Sequence, residues 1–120
     1  MDNVLELAIN RSGWAMWCRV DGCKQRMVIR YAPGDAAGAL LAALQHVKDH
    51  HWHDSVEIHC NHHDIVQMVQ ENRNPNDSPV MREVNLLYRM LSRCVLRAAG
   101  EKDIPEAVRL SRLCSALEPL

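Results

Sequence analysis

A chain of 120 residues is one ordinary domain, long enough to bury a single core without disulfides or a structural metal. Charged residues at 24% and hydrophobic ones at 48% match globular averages and exclude a disordered or membrane-embedded chain; no apolar run nears the ~20 residues of a spanning helix. Basic and acidic residues number 14 and 15, so the net charge of −1 supplies no long-range field for a polyanion.

The start is acidic at Asp2 and carries no apolar signal core, so a cytoplasmic location is expected. Five cysteines, Cys18, Cys23, Cys60, Cys94 and Cys114, lack the close paired spacing of zinc ribbons or redox motifs and read as reduced, mostly buried thiols. Cys18 and Cys23 flank an Asp21-Gly22 turn, where the hairpin register sets them diagonally, a poor geometry for a bridge.

In chain order, Leu5 to Ile9 alternates like a half-buried strand and runs into Asn10. Arg11-Ser12-Gly13 turns the chain into a second strand, Trp14 to Val20, and Asp21-Gly22 closes a hairpin into a third, Cys23 to Tyr31. Asp35 can cap a helix reaching about His50, with Leu40, Leu44 and Val47 on one stripe and Leu41 beside it. Val56 to Cys60 alternates again and stops on Asn61, which is expected to cap a short helix carrying Ile65, Val66 and Val69, with Asp64 at its third position. Ser78-Pro79 starts another helix with Val80, Val84, Leu87 and Leu91 in register. An extended stretch around Val95 and Leu96 follows, and Asp103-Ile104-Pro105-Glu106 is a capping signature for a last helix burying Ala107, Leu110, Cys114 and Leu117.

The predicted order is ββ-β-α-β-α-α-β-α: an α/β domain with a mixed five-stranded sheet, three antiparallel strands then two parallel additions, and helices on both faces. Right-handed crossovers put the fourth strand parallel to the first. The parity of the two strands then brings Asn10 and Asn61 to one face at their C-terminal ends.

This order resembles the type I ribonuclease H fold across nearly the whole chain. Leu5-Glu6-Leu7-Ala8-Ile9-Asn10 looks like that family's first strand, which ends in Asp-Gly-Ser, and Val56 to Val66 like its fourth, which ends in Thr-Asp-Ser before a helix. Members cut phosphodiesters with two divalent ions held by four carboxylates, since hard cations need anionic oxygen. Carried over, those carboxylates fall on Asn10, on or near Ala36, on Asn61, and on or near Val108, and none of these is acidic. Glu6 and Glu57 lie four residues back on their strands, about 13 Å away, too far to substitute. The resemblance therefore implies a degenerate site: no catalytic residue, no cofactor, and a binding role directed at protein or at self-association in preference to nucleic acid. A nucleic-acid-binding pseudonuclease is one alternative. A metal-dependent nuclease or hydrolase with a rearranged site of His62, His63 and Asp64 is the other.

All seven histidines lie between positions 46 and 63. His46 and His50 have helical i, i+4 spacing, the spacing of a metal pair, with His51 and His53 at the same end, but solvated imidazoles at a helix C-terminus account for it better, so no metal site is assigned. Trp14 and Trp17 lie three apart and face opposite sides, which leaves one of them, with Trp52, as a contact surface. Lys24, Arg26 and Arg30 read as a charged strand edge, and Arg82, Arg89 and Arg93 as a solvated helix face.

Overall fold

A computed structural model describes residues 3–11, 13–20, 27–30 and 36–116, with backbone only for 27–30 and 114–116. The strands are β1 (Val4–Ile9), β2 (Trp14–Arg19), β3 (Met27–Arg30), β4 (Val56–Cys60) and β5 (Cys94–Ala98), and the helices α1 (Ala36–His50), α2 (His63–Gln70), α3 (Pro79–Met90) and α4 (Pro105–Ala116). One mixed sheet has the order β3-β2-β1-β4-β5. The pairs β1–β2 and β2–β3 are antiparallel, whereas β1–β4 and β4–β5 are parallel.

Period-2 alternation sorts the strands between two cores. Leu5, Leu7, Trp14, Met16, Cys18, Val56, Ile58 and Cys60 meet Leu40, Leu44 and Val47 of α1, Val66 and Val69 of α2, and Val84 and Leu87 of α3. On the opposite face Ala8 meets Ile104, Ala107 and Val108, with Trp17 packed against them. Both strand tryptophans are therefore packed, Trp14 in the larger core and Trp17 half-buried under α4. That leaves Trp52, not Trp17, as the exposed indole.

Local signals set the start of α3 and the end of α2. Ser78 Oγ accepts from Met81 N at 3.2 Å with Pro79 opening α3, and Asn72 closes α2 in the left-handed region at φ 55°, which asparagine tolerates. Two expectations are corrected. The cap of α2 is His62, whose Nδ1 accepts from Ile65 N at 3.3 Å, because Asn61 is engaged elsewhere. The residues before α4 form a 3-10 turn, Glu101–Asp103, and the carboxylate that meets an N–H of its first turn is Glu6 from β1, accepting from Ala107 N at 3.3 Å. The proposed Asp35 cap, Asp21-Gly22 turn, Cys23, Lys24, Arg26 and Leu117, and the side chains of Arg30 and Cys114, lie outside the described residues.

Arg82 and Arg89 of α3, and Arg93 in the turn after it, do more than face solvent. Arg89 donates to Val69 O at 2.8 Å, Arg93 to His53 O at 2.9 Å, and Arg82 to Asp77 Oδ1 at 2.8 Å.

The outer edge of β5 is covered from the helices. Leu96 N donates to Tyr88 Oη at 3.2 Å, Gln70 Nε2 donates to Leu96 O at 2.8 Å, and Cys94 N donates to Leu91 O at 3.1 Å. Tyr88→Phe removes the acceptor from a buried N–H, and urea unfolding is expected to show a loss of about 1 kcal/mol. No change in the unfolding midpoint would show that Leu96 N finds another partner.

Candidate functional site

The C-terminal ends of β1 and β4 lie side by side, and each is continued by an asparagine. With Leu7 paired to Cys60, the register sets Asn61 level with Ala8, so Asn10 projects two residues farther on the same face. The asparagines are staggered, not abreast. Asn61 uses both ends of its amide on the neighbouring strand, Oδ1 accepting from Ile9 N at 2.9 Å and Nδ2 donating to Ile9 O at 3.2 Å. In effect its side chain adds one more rung to the β1–β4 ladder. Asn10 also uses both ends of its amide, but on the β1–β2 turn and on α4, Oδ1 accepting from Gly13 N at 3.0 Å and Nδ2 donating to Ser111 O at 2.9 Å.

The α4 residue that meets Asn10 is therefore Ser111. Val108, one turn earlier, is buried against the Ala8 cluster, and Ser111 Oγ donates to Val108 O at 2.8 Å. Ala36 opens α1 and packs partly buried on the larger core.

His62 and His63 do not converge with Asp64. His62 is spent as the α2 cap, His63 Nε2 lies 3.4 Å from Ala99 O, and Asp64 is exposed in the first turn of α2. Nearby Cys60 is pushed up to about 11 by burial, partly offset by the hydrogen bond from His62 N, so it is a neutral thiol. Burial alone pushes Cys94 up to about 12.

Beside the asparagines, the α4-facing side of the sheet carries a row of matched charges. Glu6, 2% exposed, pairs with Arg19 Nε at 3.1 Å. Glu57 is bonded to Arg97, with His59 Nε2 at 3.7 Å; Arg97 first, and His59 after it, hold the Glu57 carboxyl below the usual range against a smaller opposing effect of desolvation. Arg19, His59 and Arg97 line one shallow concavity with Asp103.

At the opposite end of the sheet His46 and His50 come together as the helical spacing predicted, with ring centroids 4.7 Å apart. His53 is exposed in the loop. Their neighbour His51 is buried beside Cys18, a partner that spacing along the helix does not show.

Similarity to solved structures decides the fold. The chain superposes on ribonuclease H1 from the halophilic archaeon Halobacterium salinarum with a TM-score of 0.64, at 13% identity over 94% of this chain and 98% of that one. It superposes on a ribonuclease H1 isolated from compost metagenome with a TM-score of 0.71, at 12% identity over 98% and 99%. The fold is that of ribonuclease H. The same fold matches a part, 20%, of the foamy viral protease-reverse transcriptase solved with an RNA/DNA hybrid, at 13% identity over 94% of this chain and a TM-score of 0.70. No family model and no curated protein sequence matches the chain. No helix among the described residues of this ribonuclease H-like domain is long and apolar enough to cross a membrane.

Proposed function

We propose that this ribonuclease H-like domain does not cleave nucleic acid and works as a binding module for protein. The observation that carries the reading is that both amides at the strand ends are spent in the fold. Each uses its oxygen as an acceptor and its nitrogen as a donor, and neither directs an anionic oxygen outward. Two-metal phosphodiester cleavage needs carboxylates to hold the ions and to balance charge on the attacking and leaving oxygens. Ala36 on α1 and Ser111 on α4 add no charge.

Protein is favoured over nucleic acid by the pairing of the cations on the α4-facing side. Arg19 is matched by Glu6 and Arg97 by Glu57, so a phosphate backbone would have to break existing ion pairs to bind there. The opposite side of the molecule offers apolar surface instead. Leu86 and Met90 stand one turn apart on α3, and Met90 shares a concavity with the exposed Trp52. Exposed aromatic and methionine side chains of this kind are enriched where proteins meet.

Incubation of the pure chain with an RNA/DNA hybrid and magnesium or manganese is expected to give no cleavage above the buffer control. Metal-dependent cleavage that is lost on changing Asn10 or Asn61 would overturn the reading. A gel-shift titration with hybrid, duplex and single strands is expected to give no shift. A shift that weakens steeply with salt would identify a nucleic-acid-binding domain instead.

A further inference from the structure

Far from the asparagines, three potential metal ligands, from β2, from α1 and from the turn after it, meet under the C-terminus of α1. Cys18 lies on β2, opposite Leu5 at the start of β1, and its thiol is wholly buried. His46 is in the last turns of α1 and His51 follows its end, where His51 N still donates to Val47 O at 2.8 Å. One ligand atom from each of Cys18, His46 and His51 lies within 4.8 Å of the other two.

The distances suit a small tetrahedral ion. Cys18 Sγ is 3.5 Å from His51 Nε2. Zinc bonds of about 2.3 Å to sulfur and about 2.1 Å to nitrogen at a tetrahedral angle separate the two atoms by about 3.6 Å. The other ring nitrogen of His51, Nδ1, lies 3.1 Å from Asp54 Oδ2. A carboxylate behind a histidine fixes the tautomer with its proton on Nδ1 and directs the Nε2 lone pair at Cys18's side, the arrangement found behind metal-bound imidazoles. The turn itself builds this support, since Asp54 N donates back to His51 O at 3.0 Å.

A Cys-His-Asp relay for nucleophilic catalysis has the same connectivity, but the burial of Cys18 leaves no room for a substrate carbonyl at its sulfur. A bare ion needs no such room. It can enter beside His46, which is only partly buried and borders the exposed His50.

We infer that Cys18, His46 and His51 form a zinc site that ties β2 to the end of α1, with Asp54 as the positioning residue for His51 and water in the fourth position. On binding, the Cys18 thiol gives its proton to solvent and the thiolate and two neutral imidazoles coordinate the ion. This inference is independent of what the asparagine end does.

The test uses the full chain without a histidine tag, stripped with chelator and titrated with zinc, then with cobalt as a spectroscopic probe. One zinc per chain is expected, with a higher melting temperature at saturation. The cobalt form should show tetrahedral ligand-field bands and a thiolate charge-transfer band that Cys18→Ser abolishes. His46→Gln, at a partly exposed position, should fold and lose affinity by more than the 10- to 100-fold, roughly, expected for Asp54→Asn. His62→Gln/His63→Gln should bind as the parent does. A ratio well below one zinc per chain, affinity unchanged in His46→Gln, or binding that disappears in His62→Gln/His63→Gln would overturn the assignment.

Discussion

Arg19→Met is expected to destabilise the domain by about 3 kcal/mol in urea unfolding, more than any other change to a charged surface residue. The reason lies in its partner. Glu6 is 2% exposed on the face that α4 covers, while Arg19 is 49% exposed and reaches it from β2 with Nε at 3.1 Å. Removing the guanidinium leaves a carboxylate under a helix with, among the described residues, Ala107 N as its remaining donor. Removing the carboxylate is milder: in Glu6→Gln the amide oxygen can still accept from Ala107 N, and Arg19 relaxes into water, so a loss of about 1 kcal/mol is expected. The double variant should be more stable than Arg19→Met alone, since the buried charge is gone, and the cycle should return a coupling of about 2 kcal/mol. Additive losses would show that the pair contributes nothing beyond its members. The dipole of α4 acts in the same direction, because Glu6 sits at its positive end.

The second large effect concerns the asparagines. Asn61→Asp puts a carboxylate where Nδ2 now donates to Ile9 O at 3.2 Å, so a hydrogen bond becomes an oxygen–oxygen repulsion between two adjacent strands. Asn10→Asp does the same against Ser111 O at 2.9 Å. Each is expected to cost about 2 kcal/mol, read as a lower midpoint in urea. Asn61→Ser or Asn10→Ser, which leaves a hydroxyl in place of the amide, should cost less. Excess magnesium should not restore the midpoint of the double aspartate variant, because neither Ala36 nor Ser111 supplies a further anionic ligand. Full recovery with magnesium would mean that the strand ends still hold a divalent ion once charged, and that only the two side chains separate this domain from a metal-binding one.

The fold was legible because its signals are local. Alternation in β1 and β4, the Ser78-Pro79 start of α3 and the apolar stripes of α1 and α3 each need only a few neighbouring residues, and each is where the pattern put it. What escaped depends on partners far along the chain. Glu6 reads as the polar half of an alternating strand, yet it is buried, because the helix that covers it begins about a hundred positions later. Asn61 has the composition of a helix cap, but backbone groups 52 residues away claim its amide and leave the cap to His62. His51 looked like one of several solvated imidazoles until β2 placed Cys18 beside it, 33 residues earlier in the chain. The start of α4 was legible at Pro105, but the hydrogen bond from Asn10 to Ser111 O joins residues 101 positions apart and no local pattern shows it. In each case the sequence names the residue type, and only the tertiary arrangement names its partner.

The helix side chains laid along β5 limit how this molecule can associate. A strand from another chain seeking to join there would first have to displace Tyr88 and Gln70 from Leu96, giving up two formed bonds before any new ones appear. Growth by sheet extension is thus disfavoured on that flank, and a complex formed there would have to interlock side chains while each partner kept its own backbone ladder intact.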